Sequence, residues 1–118
     1  MKYMLLVYLD EKALSDDERD HCYVESAQLA QRLNSSGKYL DASPLHSVAT
    51  ATSVRVRNDQ RFITDGPFAE TREQLGGYYL IEAADLDEAI AIAEQIPPAR
   101  FGTIEIRPVM EIQGLPAA

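Results

Sequence analysis

An α+β fold of ferredoxin-like type, in the order β-α-β-hairpin-β-α-β, is what this sequence predicts, and three observations predict it. Two runs, "SDDE" at 15–18 and "DLDE" at 85–88, carry the spacing of helix starts. Each follows an apolar stretch led by aromatic residues and precedes another strand-like segment, so β-α-β is written twice. Between the two copies lies a pair of short β-prone runs separated by polar residues, the mark of a hairpin. An antiparallel sheet carrying both helices on one face satisfies this order.

The elements follow in turn. "KYMLLVYL" at 2–9 is apolar on both faces, as expected of a strand inside a sheet. Its Tyr3 and Tyr8 point to opposite sides. Ser15 and Glu18 form a capping box that opens the first helix; Tyr23, Ala27 and Ala30, with Leu33 nearby, are its expected inward stripe, and Gly37 ends it. "KYLDA" is a short second strand closed by Ser43 and Pro44. "ATATSVRVR" and "RFIT", separated by Asn58, Asp59 and Gln60, make the hairpin, with its loop length and register open. "GGYYLIEA" reads as another central strand. Asp85 and Glu88 repeat the capping logic, Leu86, Ala89, Ile90, Ala93 and Ile96 mark the apolar face of the second helix, and Pro97 and Pro98 stop it. "GTIEIRPVMEI" alternates Ile104 and Ile106 with Glu105 and Arg107, the period of a half-buried strand.

A chain of 118 residues fits a single domain spanning 1–118 and folds without a staple. One cysteine, Cys22, excludes an intramolecular disulfide, and the two histidines are too far apart in sequence for a metal-ligand motif. No cofactor motif is present either: Gly76 and Gly77 open a strand and lack the lysine and hydroxyl of a phosphate loop. Nineteen acidic against eleven basic side chains give a net charge of −8, which disfavours nucleic acid. The apolar start is too short for a signal core or a membrane span, so a cytoplasmic protein without membrane contact is expected. Residues 3–9 and 78–83 hold more apolar surface than two helices shield, and a homodimer paired through its sheets would cover the rest.

Residues that could carry chemistry gather around "TDGPFAETREQ" at 64–74. Asp65 has two readings: its side chain bonds backbone amides ahead of it in a tight turn, or it meets a ligand. Gly66 supplies positive φ or close approach, Pro67 sets the chain direction, and Phe68 offers an apolar wall that would raise a nearby carboxyl's pKa. Arg72 and Tyr78 could add charge, a hydroxyl and an aromatic surface for a small organic ligand, aromatic or acidic. His21 shares a polar helix stripe with Glu25, Gln28 and Arg32, where Glu25 would help keep it charged. His46 either lines a pocket or decorates the loop before the hairpin. Arg55 and Arg57 share one hairpin face, solvated or turned to an anion.

The stretches "MKYMLLVYLDE", "ATATSVRV", "TDGPFAETREQLGGYYLIEA", "DLDEA" and "GTIEIRPV" together resemble the DGPF branch of the YCII-related domain family along nearly the whole chain. The resemblance implies a dimeric α+β barrel with a pocket between sheet and helices. It further implies an acid/base pair of an aspartate ending the first strand, matched by Asp10, and a histidine on the first helix. His21 is the candidate for that histidine, although Ser26 falls nearer the family position. With Asp65 added from the reading of its own loop, Asp65, Asp10 and His21 are the expected acid/base residues, acting without a cofactor, and a non-catalytic binding or regulatory dimer with a structural DGPF loop is the alternative.

Overall fold

A computed structural model describes residues 1–116 of the chain. Six strands and two α-helices are formed among the described residues: β1 (Lys2–Leu9), α1 (Asp16–Ser35), β2 (Tyr39–Pro44), β3 (Thr52–Arg57), β4 (Gln60–Asp65), β5 (Gln74–Glu82), α2 (Leu86–Ala93) and β6 (Thr103–Pro108). Short 3-10 turns at Glu11–Ala13, Val48–Thr50 and Pro97–Arg100 join them. Four strands pair in the order β2-β5-β1-β6, every pair antiparallel, and β3 and β4 form a separate two-stranded sheet. This is the expected α+β, ferredoxin-like arrangement with a hairpin inserted between β2 and β5.

Alternation along β1 divides the sheet into two faces. Tyr3, Leu5 and Val7 are buried, together with Tyr79, Ile81 and Ala83 from β5 and its end, and they meet Leu29 and Leu33 of α1 and Ala89, Ile92 and Ala93 of α2. Met4, Leu6 and Tyr8 point the other way and are only half-buried, beside Tyr78 and Leu80. Both helices therefore lie on one face.

The capping box forms as expected: Ser15 Oγ accepts from the Glu18 amide at 3.2 Å and Glu18 Oε1 accepts from the Ser15 amide at 3.1 Å. The helix closes through Gly37 at φ +75°, with Lys38 N–H bonded to the Leu33 carbonyl and Gly37 N–H to that of Asn34, a Schellman motif. Its inward stripe differs from the expected one. Tyr23 and Ala27 are exposed, and the helix instead presents Cys22, Ser26, Leu29, Ala30 and Leu33 to the sheet. The reason lies across the interface: the buried Tyr79 ring fills the gap and donates its hydroxyl to the Ser26 carbonyl at 2.9 Å, so small residues face it. In α2, Leu86 and Ile90 are likewise exposed, while Ile92 is buried. Hydrogen-bonded α-helix ends at Ala93, a turn before the prolines.

The hairpin turn consists of Asn58 and Asp59 alone, both at positive φ (51° and 61°), with Arg57 paired to Gln60. That is the two-residue turn whose twist matches a right-handed ribbon. Gly76 and Gly77 serve the sheet: the β1–β5 register slips between Val7↔Gly77 and Tyr8↔Leu75, leaving Gly76 as the bulged residue.

Two outcomes follow from this packing. A Cβ at Gly77 would lie 2.9 Å from the Ser43 carbonyl oxygen and 3.2 Å from Pro44 Cα, both backbone. Gly77→Ala is expected to destabilise by about 2 kcal/mol in urea unfolding, because a strand must move to admit it. Glu18 is held below its ordinary value of 4.5, first by the bond from the Ser15 backbone. Its capping contribution is thus complete above that value and lost as pH falls through the lower folded one, so amide exchange at the start of α1 should accelerate on acidification in the native chain and change less in Glu18→Gln.

Candidate functional site

The residues singled out by the sequence converge, in part, at the end of the sheet where β1 finishes and β5 begins. Asp10 leaves β1 as the N-cap of the first 3-10 turn, its Oδ1 accepting from the Lys12 amide at 3.0 Å. Its Oδ2 lies 3.7 Å from Arg72 Nε, so the otherwise exposed arginine of the 66–73 segment is tethered to the end of β1. Asp10 is thereby hydrogen-bonded through Oδ1 and only loosely paired through Oδ2.

Glu11 next to it makes the tighter connection. Its Oε2 accepts from Ser47 Oγ at 2.8 Å and its Oε1 from the Val48 amide at 2.9 Å, clasping the turn that leads into β3. Ser47 caps that turn, its Oγ accepting from the Ala49 amide at 3.1 Å. On the far side of the same neck, Gly66 at φ +105° donates its amide to the Ala51 carbonyl at 2.7 Å and accepts from Ser53 Oγ at 2.8 Å. The conformation at Gly66 is one that L side chains rarely adopt. Further along, Thr103 Oγ1 donates to Glu73 Oε1 at 2.8 Å and moors the segment to β6.

Between the neck and the Glu11–Ala13 turn lies a hollow of about 440 Å³, open to solvent and lined by Glu11, Lys12, Ser47, Val48, Ala49, Asp65, Gly66, Pro67 and Gln74. Asp65, the last residue of β4, is exposed, and its carboxylate accepts no hydrogen bond from a described residue. The turn reading of Asp65 is corrected here: Gly66 makes the backbone bond itself, and the aspartate does not cap it. Lys12 also stands in the hollow without an ion pair among the described residues. Among the lining residues, Asp65 and Lys12 bring a carboxylate and an ammonium without an ion pair among the described residues, beside the apolar Val48, Ala49 and Pro67.

The remaining candidates lie elsewhere. Phe68 is 84% exposed and outside the hollow. His46 is exposed in the loop after β2. Tyr78 sits on the open face of the sheet, donating its hydroxyl to Asp41 Oδ2 at 2.8 Å, a bond that raises its pKa. His21 lines a second hollow of about 300 Å³ with Leu14, Glu18, Cys22, Glu25, Arg100 and Phe101, and its Nδ1 donates to the Asp17 carbonyl at 2.9 Å. Glu25, expected beside His21, is taken by Arg100 at 3.2 Å, and burial raises the Cys22 thiol's pKa, with Glu25 adding to it. His21 and Asp65 thus line different depressions. Glu11, Lys12 and Ser47 were missed by sequence reasoning; the one signal for them was a second acid immediately after the strand-ending Asp10. A group of three or more His, Cys, Asp or Glu side chains able to hold a metal is absent among the described residues, as is a helix long and apolar enough to cross a membrane.

Comparison with known proteins adds three findings. The family model described as YCII-related domain matches residues 1–113. An uncharacterized protein of Rhizobium meliloti is 37% identical over 119 residues, an alignment covering 92% of each chain. Among solved structures, 5-chloro-2-hydroxyhydroquinone dehydrochlorinase (TftG) from Burkholderia phenoliruptrix, in complex with 2,5-dihydroxybenzoquinone, superposes with a TM-score of 0.57 over 96% of this chain and 97% of that one. At 13% identity that likeness concerns the fold.

The clasp can be checked directly. Glu11→Ala should leave the four-stranded sheet protected in hydrogen exchange and speed exchange at the Val48 amide by about tenfold, the loss of a charge-assisted bond worth about 1.5 kcal/mol.

Proposed function

This chain belongs to the YCII-related domain family, and on that premise we propose that it binds a small acidic or aromatic organic molecule in the hollow at the hairpin neck, with Asp65 exchanging a proton with it. One observation carries the reading: Asp65, a carboxylate without a partner among the described residues, lines the same hollow of about 440 Å³ as Lys12, which has no ion pair among them either. An anionic group of the ligand pairs with Lys12, its ring rests on Pro67 and Val48, and Asp65 accepts a proton from a hydroxyl or an acidic carbon and returns it. Gly66 keeps the wall free of a side chain at the point where the loop turns in. Asp10, held by Lys12 N–H and Arg72, positions the Arg72 segment. TftG, whose structure holds a dihydroxybenzoquinone, supports the choice of hydroxylated rings as the first compounds to test. The working protein is a cytoplasmic homodimer paired through the open sheet faces, since Met4, Leu6, Tyr8, Tyr78 and Leu80 leave an apolar centre half-covered.

A second reading, a non-catalytic binding or regulatory dimer with a structural DGPF loop, is favoured by the openness of the hollow to solvent and by the capping role of Asp10. A screen of hydroxybenzoates, catechols and hydroxyquinones by thermal shift tests both. Stabilisation that Lys12→Ala abolishes supports the ligand site. Turnover lost in Asp65→Asn at unchanged melting temperature supports proton transfer, because the amide keeps the shape but takes no proton. Binding without turnover in either form favours the second reading, and stabilisation indifferent to both substitutions overturns the site.

A further inference from the structure

The hairpin formed by β3 and β4 contributes no side chain to the buried core among the described residues. Apart from Ser53, all its strand residues are exposed. Register places Val54, Val56 and Ile63 on one face, at 61%, 61% and 54% exposure, and Phe62, at 48%, on the other with Arg55 and Arg57. A two-stranded ribbon wet on both sides is marginal at best in water, and β-branched residues gain little there without a covering surface. An exposed apolar ribbon of this kind is also a ready-made pairing surface.

The shape of the molecule says where the ribbon goes. Its Cα atoms span 47 × 44 × 20 Å, and the radius of gyration is 16.0 Å, against about 13 to 14 Å for a compact chain of this length. The shortest dimension is that of one helix layer on one sheet, so the hairpin extends in the plane of this slab, by roughly 20 Å for six residues a strand. It reaches past the body.

Charge says what it meets. The hairpin, Thr52 to Asp65, holds three arginines, Arg55, Arg57 and Arg61, against Asp59 and Asp65, a net +1, so the rest of a chain of net −8 carries −9. The one arm-like segment is cationic and the body is strongly anionic, which makes this chain its own complementary partner.

We propose that the hairpin is an exchange arm: its Val54, Val56 and Ile63 face packs on the body of a second copy, which returns the same contact by two-fold symmetry. The interface is separate from the sheet pairing proposed above. The arm is also the element that carries Asp65 at its base, so its engagement anchors the wall of the hollow from outside the chain.

The test uses the full chain with two sets of variants. Sedimentation equilibrium of Val54→Glu/Val56→Glu should show self-association weakened by about tenfold or more, with an unchanged far-ultraviolet spectrum, since the core lies elsewhere. In a mixed sample, isotope-filtered spectra should show contacts from the labelled methyls of Val54, Val56 and Ile63 to unlabelled chains. Leu6→Glu probes the sheet face independently. A dimer lost in Leu6→Glu but untouched by the arm variant, with arm methyls contacting only their own chain, overturns the arm and leaves sheet pairing standing. A native chain that sediments as a monomer at high concentration overturns both.

Discussion

The two-residue period of β1 is the constraint on which the structure rests. As one of the two inner strands of the four-stranded sheet, it pairs with β5 on one side and β6 on the other. Its side chains can therefore escape only up or down. Tyr3, Leu5 and Val7 go to the helices, and Leu5 is fully buried there. Met4, Leu6 and Tyr8 go to a face that this chain leaves open. A slip of one residue would exchange the two sets and strip both helices of their floor. The partners of β5 follow suit, with Tyr79 and Ile81 inward and Tyr78 and Leu80 outward.

The candidate site inherits its position from the same strand. Where β1 runs out, Asp10 and Glu11 are delivered to the end of the sheet, and the two acids divide the work of holding loops: one secures Arg72, the other the turn before β3. The hollow is bordered by the segments these bonds join, the 3-10 turn and the turn before β3, with Gly66 at positive φ in its wall. Asp65 is left over. Its neighbours are satisfied without it, which is the physical sense in which it is available to a ligand.

The body and the hairpin are governed by different physics. The body obeys the ordinary rule that an amphipathic layer finds another within its own chain. The hairpin has backbone pairing along six registered positions and a favourable turn, yet its side chains find no inner face. Local β preference and the turn therefore shape it, while its exposed side chains take no part in the core. The same division holds for the open face of the sheet.

Much of this was legible in the sequence because it depends on neighbours along the chain. Capping at Ser15 and Glu18, the stop at Gly37, alternation at Ile104 and Ile106, and the hairpin around Asn58 are short-range matters, and the element order then admits very few topologies. Tertiary structure alone decided the faces of the helices. Tyr23 turned outward because Tyr79, distant in sequence, claimed the space beneath Ser26. It also decided that His21 and Asp65 line separate hollows, and that Glu11 and Lys12 join Asp65. Such groupings arise from the crossing of strands far apart in the chain, and residue spacing carries no information about which ends of those strands meet.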